Sequence, residues 1–392
     1  MGIYSDLGLD TVVNAVGPAT RLGGLPLSDG VLDAMRQAVE SNVRMDELEE
    51  AAGIEIARLL GVPAVYVTSG ASAALTLAAA VCAVGSDPGG VDHLPRTSKR
   101  TRILIQSAHR DPYDRAVTAV GLSLSAVGFP GSTRPQELLA ELDETVAAVL
   151  WRPGRGGDLL SLATVSDLAH RVGAAVIVDA AMDVPPLARL HQMLDDGADL
   201  VAISGGKAFR GPHTSGLLCG TPDLVYSVAL HHQDMDIREG TWQPSSVTGA
   251  QLTRGRHGIG RGMKVGREQI AGLLVAIREY LADPDTWADS YARELCDCRE
   301  ALAPAGGVVV LDGYERHLDV PVLEVDFTNS SVHADEVVRQ LALGSPRIHV
   351  GEDGAWQGVL TLNPMGIKPG EGTIIGRRIV EIVAQASKER TS

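Results

Sequence analysis

The chain has 392 residues, with 34 Lys and Arg against 49 Asp and Glu, so its formal net charge is −15. That acidic surplus argues against a nucleic-acid partner, because contacts with phosphate groups need a basic face. A hydrophobic share of 45% with 21% charged residues is typical of a globular protein. We expect no signal peptide and no membrane-spanning run. The four cysteines form no metal-binding pattern, so we expect reduced thiols, no metal and a cytoplasmic location.

Short β-type runs alternate with helical patterns through the middle of the chain. The apolar runs predict strands over residues 64–68, 103–106, 123–127, 146–150, 174–179, 200–203 and 216–219. Helices are predicted over residues 71–84, 113–120, 135–142, 159–171 and 187–195. This alternation indicates a mostly parallel sheet covered by helices on both faces, with a binding crevice at the carboxyl ends of its strands.

A long helix is expected from residue 266, and the pattern changes after Pro284, with a domain boundary near residues 268–285. Helices are predicted over residues 266–281, 287–303, 334–343 and 370–386, and strands over 308–311, 321–327 and 359–362. We therefore predict an N-terminal arm of residues 1–44, a large domain of residues 45–268 and a small α+β domain of residues 269–392. Residues 14–24 contain too many glycines to be expected in a core.

A lone lysine, Lys207, lies in the glycine-rich segment 204–212, directly after an apolar run. Asp179 ends the apolar run before it along the chain. A lysine and an aspartate at the ends of adjacent buried strands suit a pyridoxal phosphate site. The lysine forms a Schiff base with the aldehyde, and the aspartate pairs with the pyridinium nitrogen. The alternatives are a surface turn lysine and a strand-end turn carboxylate.

A cradle for the cofactor phosphate is predicted where the strand 64–68 runs into the helix 71–84. A helix start presents unpaired N–H groups and a partial positive charge. The small residues Ser69, Gly70, Ala71 and Ser72 let an anion approach closely, so this turn is a phosphate seat. The alternative is a plain N-cap by Ser69.

These segments together resemble the pyridoxal-phosphate enzymes of aminotransferase-like fold type I, in the selenocysteine synthase-like group. Within that group the chain is most similar to the D-glucosaminate-6-phosphate ammonia-lyase branch. The matching segments are residues 13–17, 20–24, 45–48, 52–53, 66–75, 109–114, 178–181, 204–212 and 261–268. The resemblance implies an α/β large domain with a mostly parallel seven-stranded sheet, plus a small α+β C-terminal domain. It also implies pyridoxal 5'-phosphate as the cofactor.

The resemblance assigns cofactor roles to individual residues. Lys207 becomes the Schiff-base lysine and proton shuttle, and Asp179 the partner of the ring nitrogen. Residues 69–72 hold the phosphate, to which Ser204 adds a hydroxyl. His109 is expected to stack on the cofactor ring, with a loop histidine satisfied by the backbone as the alternative.

Substrate contacts are expected from basic residues outside the cofactor site. Arg261 and Lys264 lie in a glycine-rich loop and suggest binding of a substrate carboxylate or phosphate, with a solvated basic loop as the alternative. Arg347 is a further carboxylate-binding candidate. The segment containing Asn14 lies near a neighbouring active site in relatives, which implies a homodimer or larger homo-oligomer. The run of residues 231–236 looks metal-like, but its spacing fits no common site, so a solvated loop is expected there.

The reading that follows is a lyase acting on a small-molecule amino acid with a leaving group, such as a hydroxyl, at its β-carbon. α,β-Elimination would give a 2-oxo acid and ammonia. The alternatives are a racemase or epimerase, a transaminase, and a selenocysteine synthase-type transferase acting on tRNA. The acidic charge balance weighs against the last of these.

Overall fold

The apolar runs of the sequence form strands, and the segments between them form helices. The computed structural model describes residues 2–97, 99–154, 156–232, 241 and 257–391. Its strands, numbered β1 to β12, are Val12–Ala15, Val65–Thr68, Arg102–Gln106, Ser123–Val127, Val146–Trp151, Ala175–Asp179, Leu200–Ser204, Gly216–Gly220, Val309–Glu315, Val320–Asp326, Arg347–Val350 and Val359–Leu362. Its α-helices, numbered α1 to α14, are Ile3–Asp6, Asp29–Val39, Met45–Leu60, Ala71–Val84, Pro88–His93, Arg115–Thr118, Pro135–Glu141, Leu162–His170, Leu187–Asp195, Pro222–His232, Arg267–Ala282, Ala288–Leu302, Ala334–Leu343 and Glu371–Thr391.

Seven of these strands form one sheet in the order β2-β8-β7-β6-β5-β3-β4. The strands from β7 to β4 pair in parallel, whereas β8 is antiparallel to both of its neighbours. The predicted α/β fold with a mostly parallel seven-stranded sheet is therefore confirmed. Two reversals, at β8 and β2, bring the carboxyl end of β2 to the same edge as the carboxyl ends of β6 and β7.

The composition of the central elements explains why they are buried. β7 is buried along its whole length, as expected for a strand covered on both faces. α4 is rich in alanine and packs against β5, β6, β7 and β8. Because its side chains are small, this helix can lie close to the sheet, with its N-terminus at the edge where β2 ends.

Contacts divide the chain into two compact units, Leu27–Arg278 and a second unit that combines Met1–Pro26 with Glu279–Ser392. The second unit contains an antiparallel sheet in the order β12-β10-β9 and the parallel pair β1-β11. The expectation that residues 14–24 avoid the core is wrong at its first residues, because Asn14 is 8% exposed and Ala15 is fully buried in β1. The division into an N-terminal arm, a large domain and a small domain stays a prediction. In the described parts of the chain, no helix has the length and apolar character that crossing a bilayer requires.

One buried carboxyl group lies at the free edge of the large sheet. Glu49 on α3 is 4% exposed and accepts a hydrogen bond from the N–H of Val67 in the edge strand β2. Burial raises the pKa of Glu49 well above its ordinary value, and the hydrogen bond from Val67 opposes this only in part. The side chain thus covers a sheet edge at the cost of keeping a carboxyl group out of water.

We expect Glu49→Gln to stabilise the fold at pH 8 by about 1–3 kcal/mol, since it keeps an acceptor for Val67 and removes the ionisable group. In the unfolded chain this carboxyl ionises at its ordinary pKa, while in the folded chain the raised pKa retains the proton. Wild-type stability therefore falls as pH rises from the ordinary pKa through the raised one. Urea unfolding at pH 5 and pH 8 measures this, with the exposed Glu47→Gln as control. A Gln variant no more stable than wild type at pH 8 would contradict the account.

Candidate active site

Lys207 lies in a tight turn after β7, and packing requires the glycines before it. The N–H of Gly205 donates a hydrogen bond to the carbonyl of Ser215 at 2.9 Å. A Cβ atom at Gly206 would lie 2.7 Å from Cα of His213. The turn is therefore closed against the segment that follows it, which fixes the backbone from which the lysine side chain extends.

The surroundings of Lys207 differ from those of the other lysines in the chain. Lys207 is half-buried, whereas the remaining lysines are exposed, namely Lys99, Lys264, Lys368 and Lys388. Burial lowers the pKa of Lys207 below its ordinary value, against the opposing charges of Asp179, Asp183 and Asp111. A larger share of the amine is therefore neutral than for a lysine in water, and only the neutral amine can attack a carbonyl or accept a proton.

Asp179 ends β6, and both of its carboxylate oxygens have hydrogen-bond donors. Oδ2 accepts a hydrogen bond from Nε of Arg152 at 3.0 Å. Oδ1 accepts a longer one, of 3.3 Å, from the N–H of Ala181. The side chain of Asp179 is 10% exposed and forms an ion pair with Arg152, so its carboxylate is held in a fixed orientation.

The turn between β2 and α4 has the form of an anion seat. Gly70 has φ +117°, and the space where its Cβ would lie is empty to 4 Å. Ala71 begins α4, and Ser72 in its first turn is exposed, so the helix N-terminus is open. Thr68 before this turn and Ser204 before the lysine turn both pair with Gly216 of β8. The anion seat and the lysine turn thus flank the same residue, Gly216.

Gly216 is required for this close approach, and its replacement gives a testable consequence. A Cβ at Gly216 would lie 2.6 Å from the carbonyl carbon of Gly70 and 2.9 Å from the amide nitrogen of Ala71. We expect Gly216→Ala to weaken cofactor binding about 5- to 100-fold, because overpacking costs about 1–3 kcal/mol and displaces the seat. Titration of the apoprotein with pyridoxal 5'-phosphate measures it. Gly131→Ala, where a Cβ meets open space, is the control; equal affinities for the two variants would contradict the seat.

The predicted basic loop lies directly against this seat. The carbonyl of Met263 accepts hydrogen bonds from Oγ of Ser69 at 2.7 Å and from Nε2 of His232 at 3.0 Å. Arg261 lies in the short 3-10 helix that ends at Met263, and the exposed Lys264 follows it. Two cations predicted to bind an anion are therefore anchored beside the helix N-terminus. The hydroxyl of Ser69 donates its hydrogen bond to the carbonyl of Met263. Ser69 can therefore donate to a phosphate only through its backbone N–H.

His231 and His232 do not lie in a solvated loop. The expectation for residues 231–236 is therefore wrong at these two positions. His231 and His232 end α10 and are fully buried and 4% exposed, respectively. Because Nε2 of His232 donates to a carbonyl, its Nδ1 accepts from the hydroxyl of Tyr66, 3.0 Å away. Burial lowers the pKa of His232, which favours this neutral form. Residues 233–236 of the same run lie outside the described residues. Within the described residues, no cluster of His, Cys, Asp or Glu could hold a metal ion.

His109 follows β3 and is 2% exposed. Its ring meets the ring of Trp151 edge to face, with centroids 5.4 Å apart. Nδ1 accepts from the backbone N–H of Arg152 at 3.3 Å, and so little exposure leaves almost no ring face for a cofactor. The stacking role stays a prediction. The structure also adds Arg152, which the sequence reasoning missed although its place directly after the predicted strand 146–150 was a signal.

Asn14 and Arg347 lie together in the smaller unit, on the paired strands β1 and β11. Nδ2 of Asn14 donates to the carbonyl of Gly17 at 2.9 Å, and Oδ1 accepts from the N–H of Val16. Asn14 is thus occupied in shaping a turn. Arg347 is exposed, with Asp10 3.7 Å away. Their expected substrate contacts stay predictions.

The lysine after β7, the aspartate at the end of β6 and the open helix N-terminus lie at the strand ends of one mostly parallel sheet, which is the arrangement expected of a pyridoxal-phosphate enzyme of fold type I. Solved structures support the fold. The chain matches a NifS-like protein with a TM-score of 0.54 at 17% identity, over 95% of this chain and 100% of that one. It matches N-succinyldiaminopimelate aminotransferase from Mycobacterium tuberculosis with a TM-score of 0.50 at 17% identity, over 97% and 94% of the two chains.

Two curated proteins are similar over their full length. The chain is 27% identical to D-glucosaminate-6-phosphate ammonia lyase from Salmonella typhimurium, over 98% of this chain and 99% of the relative. A solved structure of D-glucosaminate-6-phosphate ammonia-lyase matches with a TM-score of 0.82 over 99% of both chains. The chain is 29% identical to 5'-C-glycyluridine monooxygenase-decarboxylase from Streptomyces sp, over 97% and 92%. No protein-family model matches. The resemblance to the ammonia-lyase branch is confirmed.

Proposed function

We propose that the chain is a pyridoxal-phosphate-dependent ammonia lyase, which converts a 2-amino-3-hydroxy acid to the 2-oxo-3-deoxy acid and ammonia by α,β-elimination. The observation that carries this proposal is Lys207, half-buried in its turn after β7 and surrounded by the charges of Asp179, Asp183 and Asp111. The full-length similarity to an ammonia lyase supports the choice of reaction.

Each group in the site has a defined role in this reaction. Pyridoxal phosphate, when bound, accommodates the electron pair that remains when the α-proton of an amino acid is removed. Lys207 holds the cofactor and, once freed by the substrate amine, takes the α-proton on Nζ. Asp179 keeps a proton on the ring nitrogen through its carboxylate. The β-hydroxyl leaves as water, and one water is taken up later. The substrate and the product therefore differ in composition by one ammonia.

The anion seat and the basic loop bind different anionic groups. The open N-terminus of α4, with Gly70, Ala71 and Ser72, takes the cofactor phosphate, and Ser204 closes the seat from β7. Arg261 and Lys264 take a second anionic group on the substrate. This assignment is supported by the bonds of the Met263 carbonyl to Ser69 and His232, which hold the loop beside the seat.

The remaining parts of the proposal concern assembly and location. Arg347 and Asn14 contribute to substrate binding, Arg347 to the carboxylate, and the enzyme is a homodimer or larger homo-oligomer. Light scattering on the purified protein tests the assembly. We place the enzyme in the cytoplasm, because its four cysteines are free thiols and such thiols persist in a reducing compartment.

Product analysis tests the function. Purified protein loaded with pyridoxal phosphate is given D-glucosaminate 6-phosphate, D-glucosaminate and serine. We expect ammonia and a 2-oxo acid in equal amounts, with the phosphorylated acid preferred. Arg261→Ala should raise KM for the phosphorylated acid by about tenfold or more and leave KM for D-glucosaminate nearly unchanged, since one charged hydrogen bond is worth about 1.5–3 kcal/mol. Equal effects on both substrates would remove the loop from the proposal.

A second function is favoured by the similarity to the monooxygenase-decarboxylase. Both reactions begin at the α-carbon of an amino acid, so the lysine and aspartate suit either. An oxygen electrode and measurement of released CO₂, with glycine-type nucleoside amino acids as substrates, separate them. Oxygen uptake with CO₂ release, and no ammonia from any hydroxy acid, would overturn the lyase proposal while leaving the cofactor assignment intact.

A further inference from the structure

Arg152 is a buried cation at the centre of the candidate site. It follows the last residue of β5, at the edge of the sheet where β6 and β7 also end. Its residue surface is 4% exposed. An arginine is seldom buried to this degree without partners, because removing its charge from water is costly. Its contacts therefore show what this position in the fold is built to hold.

The contacts of Arg152 join two of the sequence-predicted cofactor residues. Nε donates to Oδ2 of Asp179 at 3.0 Å. Nη1 donates to Oδ1 of Asp114 at 2.8 Å and to the backbone carbonyl of His109 at 2.5 Å. The backbone N–H of Arg152 donates to Nδ1 of His109 at 3.3 Å. The first two contacts pair the guanidinium with two carboxylates, Asp179 and Asp114. The contacts with His109 fix the guanidinium plane and the histidine that follows β3.

The charges around Arg152 keep it a cation. Burial alone would lower its pKa, but the hydrogen bond with Asp114 and the charge of Asp179 raise it above the ordinary value. Burial would likewise raise the pKa of Asp114, yet hydrogen bonds from Arg152 and Arg110 hold it low. Two basic groups act on Asp179, namely the guanidinium of Arg152 and the amine of Lys207 after the neighbouring strand β7.

We propose that Arg152 is a positioning residue for the cofactor ring, which holds the Asp179 carboxylate by Oδ2 so that Oδ1, the more weakly held oxygen, accepts a hydrogen bond from the protonated ring nitrogen. The proposal rests on the proposed function, because it assumes pyridoxal phosphate beside Lys207. The hydrogen bonds of Arg152 go to Asp179, Asp114 and His109, so in this proposal it acts on the cofactor through Asp179. A cation on the far side of the carboxylate favours the pair of carboxylate and protonated ring nitrogen over the pair of carboxylic acid and neutral nitrogen. It also fixes the His109 proton on Nε2, because Nδ1 is an acceptor.

A merely structural role for Arg152 would leave the ring nitrogen unaffected, so the test reads that atom directly. The holoenzyme is prepared with ¹⁵N-labelled pyridoxal phosphate, as wild type, Arg152→Gln, Arg152→Lys and Arg110→Gln. Arg110 contacts Asp114 but is not a partner of Asp179, and its side chain is 51% exposed, so it is the matched control. The ¹⁵N shift, the pH midpoint of the visible absorption, kcat and KM are measured for each.

We expect Arg152→Gln to move the ¹⁵N resonance toward that of a neutral pyridine and to raise the absorption midpoint by about one pH unit, because a neighbouring cation is lost. Its kcat should fall about 10- to 100-fold with little change in KM. Arg152→Lys, which keeps a buried charge and the fold, should lie between wild type and Arg152→Gln, and Arg110→Gln should match wild type. The proposal is overturned if Arg152→Lys, and any Arg152→Gln that folds, show the wild-type ¹⁵N shift and the wild-type pH midpoint of absorption. Their activity does not affect this conclusion. A holoenzyme without cofactor absorption would instead count against the proposed function.

Discussion

Lys207→Ala should lower kcat for ammonia release by about 10⁴-fold or more, because it removes both the covalent attachment and the base for the α-proton. The turn that carries the residue is fixed by Gly205 and Gly206 rather than by the lysine side chain, so the fold should persist. The visible absorption of the bound cofactor at neutral pH should disappear as well. Steady-state ammonia release and an absorption spectrum of the same sample measure both effects.

Two comparisons make this result specific to the amine. Lys207→Arg keeps a positive charge but offers no neutral amine at working pH, so it should be as inactive as the alanine variant. Lys368→Ala, at an exposed lysine of the other unit, should behave as wild type. Activity within tenfold of wild type in either Lys207 variant would exclude this lysine as the attachment point.

Asp179→Asn should lower kcat by about 10²–10³-fold, the usual effect of losing one preorganised charge at a reacting centre. The amide has the shape of the carboxylate but cannot keep a proton on the ring nitrogen. It also leaves Arg152 with Asp114 as its remaining carboxylate, so part of the folded population is expected to be lost. Activity must therefore be referred to the folded, cofactor-loaded fraction, measured by circular dichroism and cofactor content.

The control for Asp179→Asn is Asp183→Asn. Asp183 is also buried and its charge also acts on Lys207, but it does not end β6. If proximity of a negative charge to the lysine were all that mattered, the two variants would lose similar activity. We expect Asp183→Asn to keep kcat within about tenfold of wild type, so equal losses would contradict the ring-nitrogen role of Asp179.

Local sequence signals were sufficient for the elements that position the lysine and the aspartate. The helix predicted over residues 71–84 is α4, and the run that ends at Asp179 is β6, because apolar runs and small-residue turns are properties of neighbouring residues. The same signals place Lys207 after a buried strand. The lysine and the aspartate at neighbouring strand ends indicated pyridoxal phosphate, and the resemblance to known enzymes then assigned roles to individual residues.

The contacts that complete the site depend on tertiary structure and were not predictable in this way. The bond from Ser69 to Met263 joins residues 194 positions apart in the sequence. The role of Arg152 was not predictable, because its partners, His109 after β3 and Asp179 at the end of β6, are distant in the sequence. The polar run that begins at His231 was taken for a solvated loop, but α10 continues through His232 and buries it against Tyr66. The burial of a polar side chain can be recognised only when its hydrogen-bond partner is known.

The attachment of the cofactor can be measured directly. Reduction of the holoenzyme with borohydride fixes pyridoxal phosphate to the amine that holds it, and mass spectrometry of the digested protein locates the modified lysine. The account predicts that the added mass lies on Lys207 alone, at about one per chain. Added mass on Lys264 or another exposed lysine, with Lys207 unmodified, would contradict it.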